Sequence, residues 1–180
     1  MTSLGSSRGT VAIYRNAQGN PTTYTSKAFA KFYFCGYDNA GNLFFDGQDK
    51  ELGFVFGELR KGSNTIKVVT LNQNITWPAG VQWDGKYIVV GNQNTPQLYR
   101  FAIKGYRGIS KASISLGGDA YAIYQFFIDG RTVLVPNAHS TKQMKARANV
   151  LFYNYPAGGK VKFKITKGTD APEGVVISPA

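Results

Sequence analysis

Residues 77–93 read WPAGVQWDGKYIVVGNQ, and residues 124–138 read YQFFIDGRTVLVPNA. Each stretch places an Asp-Gly pair between two runs of strand-forming residues, and the two glycines, Gly85 and Gly130, lie 45 residues apart. Asp-Gly tolerates the positive φ that a tight hairpin demands, so both stretches predict β-hairpins. A third copy lies upstream: in DNAGNLFFDG (38–47) Gly41 precedes Gly85 by 44 residues. The runs after these turns, LFF (43–45), YIVV (87–90) and TVLV (132–135), superpose without a gap.

Working outward, each unit continues past a polar loop into a third apolar run: GFVF (53–56), QLYRFAI (97–103) and NVLFYNY (149–155). A basic, Gly-containing turn follows, and then a more polar fourth run: TIKVV (65–69), ASISL (112–116) and KVKFKI (160–165). The termini fit the same frame in part. TVAIYR (10–15) matches a third strand, PTTYT (21–25) a fourth, and PEGVVIS (172–178) a first, with Pro172 lying 94 residues after Pro78 of the matching PAGV. Four short antiparallel strands at a period near 45 predict an all-β fold, a β-propeller. No segment has the i, i+3, i+4 apolar spacing of a helix. The expected layout is a disordered segment over 1–9, a partial blade over 10–25, blades over 30–70, 77–117 and 122–166, and a closing strand over 172–178. First strands lie nearest the axis of such a ring, so Phe32, Phe34, Val81, Trp83, Phe126 and Ile128 are expected between blades, and Cys35 in the core.

The chain has 180 residues with 43% hydrophobic content, enough for one domain with a real core and too apolar for a disordered chain. No apolar run approaches the roughly 18 residues of a membrane span, and the opening MTSLGSSRGT has no secretory h-region. One cysteine permits no internal disulfide. Lys and Arg number 21 against 10 Asp and Glu, for a net charge of +11. That balance favours association with polyanions and says nothing of fold.

The residues PAGVQWDGKYIVVGN, DNAGNLFFDG, LYRFAIKG, VLFYNYPAGG and PEGVVISPA together resemble the bacterial NHL-like propellers, related to the gluconolactonase superfamily. The resemblance spans nearly the whole chain and implies a C-terminal part of a larger ring, in a group with many extracytoplasmic members. An open arc of three and a half blades would expose sheet faces that a ring buries. Pairing of two chains, or a missing partner segment, is expected ahead of closure as a four-bladed ring. The lactonase-type relatives imply an axial divalent metal such as calcium, and only Asp119, Asp170 and Glu173 lie in loops leading to first strands. These three read as solvated loop charges. Asp84 and Asp129 read as turn residues, and Asp38 and Asp46 as flanking another turn.

His139 stands beside Ser140 in the basic loop NAHSTKQMKARAN (137–149), with no carboxylate near to orient it, so a nucleophile and base pair is not expected. No GxGxxG precedes a helix, and no GxxxxGK[ST], HExxH or CxxC occurs. The expectation is a non-catalytic module, without cofactor or metal, that binds a protein, peptide or glycan. Its loops at one end are rich in Asn and Gln and bring Trp77, Asn92, Asn94, Tyr121, Tyr124, Asn137 and His139 to one side. The longest of these loops adds Lys142, Lys145 and Arg147 as a recognition element. The turns at the other end carry Arg60, Lys61, Lys86, Lys104, Arg107, Arg131 and Lys160, with Tyr106 available for stacking. They form a basic ring suited to polyanions, without a module that reads bases. A gluconolactonase-like hydrolase is the remaining alternative.

Overall fold

The computed structural model describes residues 9–118, 120–138 and 148–178. Within them the chain is built of β-strands, and no helix long and apolar enough to cross a membrane is present. A ribbon of β1 (Val11–Arg15) and β2 (Gln18–Tyr24) comes first. Next is an antiparallel meander of β3 (Lys31–Tyr37), β4 (Leu43–Gln48), β5 (Phe54–Leu59) and β6 (Lys67–Val68). The short β7 (Thr70–Leu71) then crosses over and pairs parallel to the rim of the next meander. That second meander holds β8 (Val81–Trp83), β9 (Ile88–Asn92), β10 (Gln97–Lys104) and β11 (Arg107–Ser115). The third holds β12 (Phe127–Asp129), β13 (Thr132–Asn137), β14 (Asn149–Asn154) and β15 (Gly158–Ile165).

Each expected hairpin is present, and Gly41, Gly85 and Gly130 have φ of 83°, 91° and 54°. A side chain disfavours that left-handed region, which is why glycine recurs there. The fourth strand of the first meander is shorter than TIKVV predicts, because the chain leaves it after two paired residues to reach β7. Residues 172–178, expected to be a strand, form no ladder, and Val176 stays 73% exposed. Residues 1–8 of the expected disordered segment lie outside the described residues. Gly9 is buried and donates its N–H to the Ala30 carbonyl at 2.8 Å.

Strand alternation stacks these sheets face to face. Leu43 and Phe45 of β4 pack towards the β1–β2 ribbon with Val11, Phe29 and Phe32, while Phe44 between them packs the other way, onto Ile88, Val90 and Phe101. One repeat later Ile88 and Val90 look back to the first meander, and Val89 looks forward to Val133, Val135, Leu151 and Tyr153 of the third. Period-two alternation on a sheet covered on both sides is thus what the near-continuous apolar second strands encode. Each buried aliphatic or aromatic side chain stabilises the stack by roughly 1.5–3 kcal/mol.

The inner strands approach closely. A Cβ on Gly36 of β3 would lie 2.7 Å from the Val81 carbonyl oxygen of β8, so only glycine fits. Phe32, Val81, Phe126 and Ile128 are buried as expected, whereas Phe34 and Trp83 are half-buried. Cys35 is exposed, not in the core: its strand alternates, and its neighbours Tyr33 and Tyr37 are exposed with it. Asp46 flanks no turn either. It lies inside β4, fully buried, on the same face of the strand as Phe44.

Candidate functional site

At the end of the stack opposite the hairpin turns, the loop after β9 meets the segment leading into β12. Asn92, the last residue of β9, is buried; its Oδ1 accepts a hydrogen bond from Thr76 Oγ1 at 3.3 Å. Its carbonyl accepts the Thr95 N–H at 3.2 Å, closing the turn. Asn94 Nδ2 donates to the same Thr76 hydroxyl at 3.3 Å, which ties the exposed loop to its base. One repeat on, Asn137 is fully buried, accepts the Tyr121 N–H at 3.1 Å and donates to Asn149 Oδ1 at 3.3 Å. Tyr124 offers its carbonyl to the Gly80 N–H at 3.0 Å. Both tyrosines are therefore fixed by their backbones.

Between these loops lies a cleft of about 280 Å³ lined by Gln93, Asn94, Tyr121, Ala122 and Tyr124. The structure thus brings together three of the expected ligand residues, Asn94, Tyr121 and Tyr124. Tyr121 is 59% exposed, and Trp77, 42% exposed, is joined to the same region through a Gln93 N–H bond to its carbonyl, without lining the cleft. Asn92 and Asn137 do not present themselves to a ligand. They and Gln48, whose Nε2 donates to the Leu52 carbonyl at 3.1 Å, end the second strands of successive units and pin the following loops. Their spacing of 44 and 45 residues in the sequence already marks a structural role. His139, with Lys142, Lys145 and Arg147, lies outside the described residues.

A second concavity, about 360 Å³, runs along the inner strands and is lined by Cys35, Gly36, Tyr37, Val81, Gln82, Trp83, Gln125, Phe126 and Phe127. These are thiol, amide, phenol and apolar groups with no carboxylate, a poor set for a hard cation that takes oxygen ligands. Asp170 and Glu173 are exposed, and Asp119 lies outside the described residues. Among the described residues no three His, Cys, Asp or Glu side chains cluster. The metal implied by the lactonase resemblance does not fit this groove.

At the hairpin end the seven expected basic residues are all exposed. Arg60 is nonetheless committed: its guanidinium bonds the Gly105 carbonyl at 3.1 Å, pairs with Glu58 at 3.1 Å and lies 4.6 Å from the Tyr106 ring centre. It joins the first meander to the second and lies over one face of the Tyr106 ring, which stays 41% exposed. Lys86 sits 5.4 Å from the Tyr87 ring, and Lys104 and Arg107 are cross-strand neighbours at the tip of β10–β11.

Sequence reasoning missed the charged group that locks the second meander to the third. Asp84 Oδ1 caps its own turn by accepting the N–H groups of Lys86 (2.9 Å) and Tyr87 (2.7 Å). Its Oδ2 takes Arg100 at 2.7 Å and the Tyr155 hydroxyl. Burial pushes the Asp84 carboxyl up, but Tyr155, the Tyr87 amide, Arg100 and the Lys86 amide outweigh it and hold it below the ordinary value. Burial, and then the Asp84 charge, push the Tyr155 phenol up. Arg100 lies in β10 and Tyr155 just past the end of β14, 55 residues apart, and no local pattern links them.

Comparisons with known proteins bear on the fold. The sequence matches no family model, and no curated protein matches it significantly. Among solved structures it is similar to hydrazine synthase of Kuenenia stuttgartiensis, with a TM-score of 0.60 at 14% identity, over 88% of this chain. The match spans 42% of the hydrazine synthase chain. A protein of unknown function from Bacteroides caccae is similar at a TM-score of 0.48 and 10% identity, over 92% of this chain and 78% of the other.

Proposed function

We propose that the meanders are blades of a β-propeller, of the NHL-like kind its motifs resemble, and that the chain is a non-catalytic binding module for a peptide or glycan. The observation behind this reading is the cleft of Asn94, Tyr121 and Tyr124 at the junction of two sheets. A phenol ring with its backbone anchored offers a stacking face at low entropic cost, and the amides of Gln93 and Asn94 supply donors and acceptors around it. The described lining is made of amides, phenols and one alanine, groups suited to recognition. Glycan and peptide arrays probed with the native chain and with Tyr121→Ala test the reading. Retention of a ligand class, lost at least about tenfold in the variant (about 1.4 kcal/mol), is expected. No retained ligand, or equal retention by both chains, overturns it.

The hairpin end supports a second reading, weak electrostatic attachment to a polyanion. Lys61, Lys86, Lys104, Arg107, Arg131 and Lys160 are exposed together there. Retention on heparin that disappears between low and moderate salt is expected of such a surface. Retention that persists at high salt contradicts purely electrostatic attachment.

A further inference from the structure

At the hairpin end of the stack, both junctions between full meanders bring the same three kinds of group together. Between the first and second, Glu58 pairs with Arg60, whose guanidinium lies over the Tyr106 ring. Between the second and third, Asp84 takes Arg100 and the Tyr155 hydroxyl, and Arg100 lies 5.5 Å from the Tyr155 ring centre. A carboxylate, a cation and a phenol thus meet at each. The junction of the β1–β2 ribbon with the first meander differs. It has a cation, Lys61, and two phenols, Tyr24 and Tyr37, but among the described residues no carboxylate pairs with Lys61. A cavity of about 190 Å³ opens there, between Ile13 and Tyr24 of the ribbon and Tyr37, Leu43, Leu59 and Lys61 of the meander.

The base of this cavity is apolar and its rim is polar. Leu43 and Leu59 are buried cross-strand partners, and Ile13 packs with them. Lys61 is held in place from two sides. It donates its N–H to Asn42 Oδ1 at 3.1 Å, and its stem passes over Gly41, where a Cβ would stand 3.2 Å from Lys61 Cδ. The carboxylates on either side are already committed: Asp38 accepts the Asn42 N–H and Nδ2 at 2.8 Å each, and Glu58 holds Arg60. Burial, and then Cys35 and Tyr24, push the Tyr37 phenol up, so it remains a donor at neutral pH.

We infer that this cavity binds a carboxylate carried on a single apolar ring, an aromatic monocarboxylate of the size of benzoate. The ligand supplies the group that the other two junctions draw from the chain itself. Its carboxylate meets the Lys61 ammonium and the phenol donors at the rim, and its ring rests on Leu43, Leu59 and Ile13. A cavity of about 150 Å³ is enough to take up benzene, so 190 Å³ accommodates one ring with a small anionic group. Burial of the ring favours binding, and the charge-assisted hydrogen bond fixes its orientation. The site lies at the end of the stack opposite the Tyr121 cleft and does not depend on that cleft having a ligand.

Amide NMR titration of the native chain at about 0.15 M salt with benzoate, benzamide and acetate tests it. Benzoate is expected to saturate with a Kd on the order of 1 mM, shifting the amides of residues 41–43 and 59–63 and leaving those of 121–124 in place. Benzamide lacks the charge and acetate lacks the ring, so each is expected to bind at least about tenfold more weakly. Lys61→Met keeps the stem and removes the charge at an exposed position, and is expected to weaken benzoate by about tenfold or more. Lys111→Met removes the same charge from an exposed position outside the cavity and is expected to leave benzoate binding unchanged. No saturation by about 20 mM, equal binding of benzamide or acetate, or full binding by Lys61→Met overturns the inference. So does an equal loss in both variants, which would make the attraction a matter of net charge, and so do shifts centred on 121–124, which would place the ring in the other cleft.

Discussion

Gln82 of β8 pairs through its side-chain amide with both backbone groups of Ile128 in β12, donating to the carbonyl at 3.0 Å and accepting the N–H at 2.8 Å. One side chain thus takes the place of a strand ladder between the inner edges of two separate sheets. Replacing it by leucine keeps the volume and leaves two backbone groups unpaired. Gln82→Leu is expected to lower unfolding free energy by about 1–3 kcal/mol in urea titration. A change below about 0.5 kcal/mol would show that water satisfies Ile128 instead.

Asp84 predicts acid sensitivity of the contact between the second and third meanders. Its folded value is depressed, so the stability it contributes is present above the ordinary carboxylate value near 3.8 and is lost as pH falls through the folded value. Asp84→Asn should flatten that limb of the stability profile. Tyr155→Phe, which removes one donor to a charged acceptor, is expected to cost about 1.5–3 kcal/mol at neutral pH. Equal pH profiles for native and Asp84→Asn would remove this group from the account of acid unfolding.

Asp46 carries the opposite sign. Its carboxyl accepts the N–H groups of Phe34 at 2.9 Å and Ala79 at 2.8 Å, yet complete burial raises it well above its ordinary value. A group that holds its proton longer in the folded chain contributes stability that falls as pH climbs from about 3.8 through the folded value. Asp46→Val leaves two buried donors unpaired and is expected to destabilise by about 2–4 kcal/mol. The gap to the native chain should be widest in acid and narrow towards neutrality. A gap that widens with pH would mean the carboxylate is favoured in place.

Loop asparagines and tyrosines should separate by what they lose. Asn92→Ala and Asn137→Ala each remove buried bonds that pin a loop and are expected to lower the melting temperature, by about 4–8 °C for each kcal/mol lost in a small domain and somewhat less in a larger one. Tyr121→Ala should leave the melting temperature within about 2 °C, because surface substitutions away from special features stay within roughly 0.5 kcal/mol. The same melting loss in all three would make Tyr121 a structural residue.

The hairpins, their glycines and the four-run unit were legible in the sequence, because a turn that needs positive φ and a strand covered on both faces each restrict residue choice locally. The candidate cleft was legible in part. Asn94, Tyr121 and Tyr124 share an end of the stack because loops of equivalent units lie together, and that follows from the repeat. Asn92 and Asn137 look the same in one dimension, and only burial shows their amides turned inward. Cys35 looked like core within FYFCGY, but alternation on an inner strand left its face uncovered. Residues 172–178 echo a first strand yet form no ladder, since pairing needs an open edge within reach as well as a suitable sequence.

By itself the sequence determined the unit: its period, its turns and the alternation that gives each sheet two apolar faces. Only the tertiary structure decided which groups meet between units, namely Gln82 with Ile128, Asp46 with Ala79, and Asp84 with Arg100 and Tyr155. The reason is physical. Local dihedral limits and burial period are written along the chain, whereas a contact between sheets depends on stacking geometry that brings together residues up to 71 positions apart.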